Sequence, residues 1–159
     1  MDGESLNILY DKARNRGRWG RVWGVLSGHS RQMLSLAEVE ARTVRNRHDA
    51  GLQTVRVDRV QGSGGRYNDF DRNFHPLQDH TRHRWISVAR ARQEGKSLPP
   101  VELVQVGETY YCLDGHHRLS VARAFGQQNI DARVTVWEVK EPRPQVAFAG
   151  PMASSAAAA

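Results

Sequence analysis

The chain has 159 residues, 39% of them hydrophobic and 25% charged, with a net charge of +6. That composition is ordinary for a globular protein and long enough to bury one real core. No run approaches the ~18 apolar residues of a membrane span, and the N-terminus carries no basic-then-apolar leader, so a cytoplasmic setting without a membrane partner is expected.

Cys112 is the only cysteine, which excludes an intrachain disulfide. The positive excess comes from 20 Arg against 3 Lys, for an isoelectric point near 10.1. Arginine's planar fork suits bidentate phosphate contacts, so a polyanionic partner is expected, with nucleotide, DNA and RNA all open.

Residues 1–50 read as a partly helical N-terminal extension. From Lys12 to Arg31, "KARNRGRWGRVWGVLSGHSR" holds six positive charges, no acidic residue and two tryptophans. Its glycines at 17, 20, 24 and 28 argue against an isolated helix there. Trp19 and Trp23 would either stack on nucleic acid or dock on the core, and docking is the commoner fate of tryptophan. "SLAEVEARTVRNR" opens with a capping-box pattern, Ser35 and Glu38, and Leu36, Val39, Thr43 and Val44 form one helical face.

Residues 51–141 hold the predicted domain. "LQTVRVDRV" (52–60) alternates as a strand through Val55, Val57 and, after a slip, Val60. "QGSGGRYNDFD" (61–71) is a glycine-rich loop with Arg66, Asp69 and Asp71. "HTRHRWISVARARQEG" predicts a helix with Trp85, Val88, Ala89 and Arg92 on one side and Gly95 as its stop. "LPPVELVQVGETYYCLDG" predicts a hairpin turning at Gly107-Glu108. "HHRLSVARAFG" predicts a helix closed by Gly126, and "IDARVTVWEV" (130–139) a last strand. Residues 142–159 are low in complexity and expected to be disordered. The order strand, helix, strand, strand, helix, strand describes an α+β fold with a mixed sheet and packed helices.

The chemistry concentrates at "CLDGHHR". A strand ends, Asp114-Gly115 turns, and a helix begins at His116 or His117. The first turn of a helix has unpaired N–H groups and a partial positive charge, which together form an anion site. Gly115 would let backbone approach a ligand closely. His117 and Arg118 would add donors there. The plainer alternative is strand-to-helix punctuation with solvated His and Arg. A metal site is not expected: His80 and His83 stand at i, i+3 and His116 and His117 are adjacent, but no metal-ligand pattern accompanies them.

"YYCLDGHHRLSVARAFGQQNIDARV" resembles the signature of the ParB/sulfiredoxin superfamily, with support from "VRVDRVQGSGGRYNDFD" and "RWISVARARQEGKSLPPVELVQVG". The resemblance implies a small domain that binds ATP, ADP or CTP, its phosphates held by Asp114, Gly115, His116, His117 and Arg118; phosphoryl transfer would add Mg²⁺ on the phosphates, with Arg66 as a second phosphate ligand. Asp-Gly-His-His-Arg is similar to the free-serine kinase branch. His116 stands where sulfiredoxins carry a nucleophilic cysteine, so thiol chemistry is not implied. Partition proteins add a helix-turn-helix domain, for which the 20 residues after Val139 leave no room.

A phosphotransferase or nucleotide hydrolase needs a group to accept a proton. Kinase-branch proteins use a glutamate, and none lies between Glu40 and Glu94. Asp69, Asp71 and His116 are the catalytic candidates that remain. Asp69 and Asp71 could equally order an Asx-type turn or pair with Arg72. The alternative function is a DNA- or RNA-binding ParB-like module without catalysis.

Overall fold

A computed structural model describes residues 3–28, 32–42 and 44–140. Its helices are α1 (Gly3–Ser27), α2 (Leu36–Glu40), α3 (Arg82–Gln93) and α4 (His116–Ala124). Its strands are β1 (Leu34–Ser35), β2 (Val44–Arg56), β3 (Val60–Ser63), β4 (Val101–Val106), β5 (Thr109–Asp114) and β6 (Asn129–Val139). They form one six-stranded sheet in the order β1-β3-β5-β4-β6-β2. Strands β1, β3 and β5 run parallel, as do β4 and β6, while β4–β5 and β2–β6 are antiparallel. The fold is therefore α+β with a mixed sheet and packed helices, as the order of predicted elements implied.

Successive strand residues point to opposite faces, so the sheet has two apolar sides. On one, Val60, Leu103, Cys112 and Val134 pack with Phe70, Phe74 and Leu119 of α4. On the other, Val104 and Tyr111 meet Leu36 and Val39 of α2. A third cluster joins α1, α3 and α4 through Leu6, Tyr10, Trp85, Ala89 and Val121.

Helix α1 is continuous through its glycines, contrary to expectation. Leu6, Tyr10, Ala13, Gly17, Gly20 and Gly24 are its buried residues. Their spacing of three or four gives one face, and small residues there let the helix approach its neighbours closely. A Cβ on Gly17 would lie 2.9 Å from His75 Cβ and 3.3 Å from the Pro76 carbonyl oxygen. Packing outweighs the ~1 kcal/mol helix penalty of glycine. Tyr10 anchors the same face: its hydroxyl donates to the Gln78 carbonyl and meets Thr81 Oγ1, each at 2.9 Å. Its ring stands edge-on to Trp85, 5.5 Å between centroids. Arg14 bonds Asp79 at 2.8 Å, and Arg82 pairs with Asp11.

That docking turns the tryptophans outward. Trp19 and Trp23 do not pack on the core; they project into solvent, because they fall outside the face that Gly17, Gly20 and Gly24 bury.

Two boundaries also differ from the sequence reading. Helix α2 stops at Glu40, and Ser35 makes no side-chain cap; its Oγ donates instead to the Tyr67 hydroxyl at 3.3 Å. Val44 belongs to β2 rather than to a helical face, and Thr43 lies outside the described residues. The strand expected over 52–60 begins at Val44 and ends at Arg56, because long antiparallel pairing with β6 recruits the polar residues before it. The slip before Val60 is a 3-10 turn, Val57–Arg59, that separates β2 from β3. The low-complexity tail, 142–159, lies outside the described residues.

Candidate functional site

Strands β3 and β5 are parallel neighbours, so both deliver their C-terminal ends to one edge of the sheet. There β3 runs into Gly64-Gly65-Arg66 and β5 runs into Gly115 and α4. The Gly64 N–H continues the ladder by donating to the Cys112 carbonyl at 2.9 Å. Crevices at the carboxyl ends of parallel strands are where α/β sheets commonly receive ligands.

Helix α4 begins at His116 as expected. Gly115 precedes it at φ 103° with no side-chain cap, and Leu119 N–H closes the first turn on the Gly115 carbonyl at 2.9 Å. The glycine's role differs from the one expected. A Cβ here would stand 2.5 Å from Val101 Cγ1, so the missing side chain admits β4 rather than a ligand, and the positive φ itself requires glycine.

Ser63 and His116 tie the two turns together. Ser63 is fully buried, and its Oγ lies 2.6 Å from His116 Nε2. The same Oγ accepts the Gly65 N–H at 3.0 Å, and the Ser63 carbonyl accepts the Tyr67 hydroxyl at 2.8 Å. With His116 carrying its hydrogen on Nδ1, Nε2 is an acceptor for the buried serine hydroxyl; with the hydrogen on Nε2, the ring donates to the second lone pair of Oγ. Burial, helped by the nearby Arg66 cation, lowers the His116 pKa to about 4.

His117 is buried against Phe70, edge-to-face at 5.2 Å, and its Nε2 is buried with no hydrogen-bond partner among the described residues. Desolvation, then the cations of Arg66 and Arg84, lower its pKa to about 4 as well. Both imidazoles are thus neutral at pH 7. The His116 ring stacks on the same Phe70, 6.0 Å between centroids.

Of the other expected residues, Arg66 and Asp69 join this cluster. Arg66 donates to Asp69 at 3.0 Å, and His80 Nε2 meets the other Asp69 oxygen at 3.0 Å. The Arg66 side chain is half exposed and turned to solvent at the edge of the site.

Asp71 is held differently. It is buried and does not pair with Arg72. Its Oδ1 accepts the N–H groups of Asn73 and His75 at 2.9 and 2.8 Å, and Oδ2 meets His75 Nδ1 at 3.0 Å. These bonds order the 71–75 turn.

Arg118 points away from the crevice. Its guanidinium donates to the carbonyls of Pro99 (2.5 Å) and Pro100 (2.8 Å) and pairs with Asp114. In this structure the fork fastens the segment before β4 to the start of α4. Cys112 is buried inside β5, and burial pushes its thiol pKa up, the opposite of what a nucleophile needs.

Two residues of the cluster were not anticipated. Ser63 sits among glycines, where it reads as a plain loop residue. Arg84 reaches His117 electrostatically from the first turn of α3. Cations at a helix start oppose the helix dipole, so the run Arg82-His83-Arg84 carried that signal. Beside the cluster, a cavity of ≈ 540 Å³ opens between α1 and residues Tyr67–Gln78, with Phe70 in its wall.

The chain is similar to the crystal structure of sulfiredoxin from Arabidopsis thaliana, at 16% sequence identity, over 52% of this chain and 82% of that one, with a TM-score of 0.38. No family model matches the chain, and no curated protein matches it.

Proposed function

We propose that this chain is a nucleotide-binding protein of ParB/sulfiredoxin-like type that holds phosphates at the Gly115–Arg118 turn. The observation that carries the reading is the pinning of the two turns by Ser63 and His116. It sets the open N–H groups of the first α4 turn beside the Gly64–Arg66 loop, both at the carboxyl ends of parallel strands. Those N–H groups and the helix dipole favour an anion. Arg66, half exposed and paired with Asp69, would exchange that carboxylate for phosphate as a bidentate fork, and Arg84 adds positive potential. The unpartnered Nε2 of His117 is a polar group that a ligand would satisfy. The cavity sharing Phe70 gives room for the remainder of the molecule.

Among the described residues, no group of three or more His, Cys, Asp or Glu side chains is placed to hold a metal ion. Magnesium would fit here only as phosphate-bound Mg²⁺ with one or two carboxylates, a common arrangement; Asp69 and Asp114 are the carboxylates at hand. When bound, it would neutralise phosphate charge. For phosphotransfer or hydrolysis, Asp69 would accept the acceptor's proton. Asp71, whose oxygens are already committed to backbone and His75, would keep its turn in shape.

Titration calorimetry against ATP, ADP, CTP and a short DNA duplex, with and without Mg²⁺, tests the reading. The expected result is saturable mononucleotide binding. Absence of heat with all three nucleotides, against clear binding of the duplex, would replace it with the nucleic-acid module.

A further inference from the structure

Helix α1 has a second face that nothing among the described residues covers. Ile8 (64%), Trp19 (73%), Val22 (51%), Trp23 (67%) and Leu26 (74%) are exposed. At 3.6 residues per turn, Ile8, Trp19, Val22 and Leu26 fall along one line, and Trp23 lies beside Trp19. The line runs opposite the docked face of Tyr10 and Gly17. Lys12 lies on this face between the tryptophans, Arg16 borders it on one side and Arg18 on the other, all three exposed; Asp11, beside Ile8, is paired with Arg82. Among the described residues, none of these cations has an ion-pair partner; the one α1 cation with a carboxylate partner is Arg14, bonded to Asp79. No acidic residue lies between Lys12 and Ser27.

An occupant must therefore offer apolar surface and negative charge in the same plane. A second copy would set its own cations against Lys12, Arg16 and Arg18. A nucleic acid would match the charge and stack on the tryptophans, but would leave Ile8, Val22 and Leu26 in water. An anionic lipid surface offers both: headgroup charge for the flanking cations, and the acyl boundary for the apolar line, with tryptophan at the interface.

We propose that α1 lays this outward face on an anionic membrane surface and carries the domain behind it. No described helix is long and apolar enough to cross a membrane, and lying in the interface does not require one. The expectation of no membrane partner rests on the lack of a spanning run and of a leader, and neither is needed to lie in the interface.

The test is co-sedimentation with phosphatidylcholine vesicles containing or lacking ~30% phosphatidylglycerol, with tryptophan emission followed in parallel. Binding to the anionic vesicles only, with a blue shift, is expected. Two variants dissect it: W19Q/W23Q/L26Q, and K12Q/R16Q/R18Q. All six positions are exposed, so both should keep wild-type melting. The first should lose binding at least tenfold and the blue shift with it. The second should lose about fivefold per charge removed. Failure of the wild type to prefer anionic vesicles would overturn the proposal. So would oligonucleotide binding lost in the charge variant but kept in the apolar variant, or a dimer abolished by the apolar variant without vesicle binding.

Discussion

Ser63 Oγ and His116 Nε2 stand 2.6 Å apart, both buried, across 53 residues of sequence. The contact joins the glycine-rich turn after β3 to the first residue of α4. Replacing Ser63 by Ala would leave the imidazole nitrogen and the Gly65 N–H without their partner. An unsatisfied buried group costs about 1–3 kcal/mol, and a shift of that size in denaturant-unfolding free energy is expected. Nucleotide affinity should fall as well, because the Arg66 loop loses its anchor. An S63A protein as stable as wild type would show that the bond contributes nothing.

Arg66 and Arg118 should separate in their effects. Arg66 is half exposed with one carboxylate partner, so R66A should leave melting nearly unchanged and weaken mononucleotide binding by about 1.5–3 kcal/mol, the scale of a charged hydrogen bond. Arg118 holds two proline carbonyls and Asp114. R118A should therefore destabilise the fold by about 1–3 kcal/mol, whatever it does to binding. Calorimetry and unfolding on both variants decide the point. Equal stability of R118A and wild type would return Arg118 to the role of a free phosphate ligand.

The histidine pair predicts acid sensitivity. Burial holds His116 and His117 at a pKa of about 4 against an ordinary 6.5. Between those values the unfolded chain binds more protons than the fold. Stability is therefore present in full above about pH 6.5 and is lost as pH falls towards 4. A series of unfolding curves from pH 7.5 to about 4.5 should show the decline begin near 6.5, and H117Q should flatten part of it. A stability profile that stays level across this window in the wild type would contradict the burial of these rings.

Gly17 tests how α1 docks. Glycine to alanine in a helix normally gains about 1 kcal/mol. Here the new Cβ would meet His75 Cβ at 2.9 Å and Leu77 Cδ2 at 3.1 Å, and overpacking costs about 1–3 kcal/mol. G17A should be net destabilising by about 1 kcal/mol, read from its melting midpoint. A more stable G17A would mean that α1 rests loosely on the domain.

The sequence alone determined the features that depend on near neighbours. Strand alternation in β4, β5 and β6, the turn at Gly107, the helix start after Asp114-Gly115 and its stop at Gly126 all follow from residues within a few positions of each other. Those patterns were enough for the α+β order and for placing an anion-favouring helix start after β5. Tertiary structure decided everything that rests on contacts between distant residues. It made α1 a full helix, because close packing of Gly17 on His75 and Pro76 outweighs helix propensity, and it turned Trp19 and Trp23 outward. It gave Val44 to a strand, because β6 was there to pair with it. It committed Arg118 to the proline carbonyls, and it supplied Ser63 and Arg84 to the site. Side-chain partners 19 to 68 residues away leave no periodic trace in the chain, so local pattern could name the turn but not what holds it.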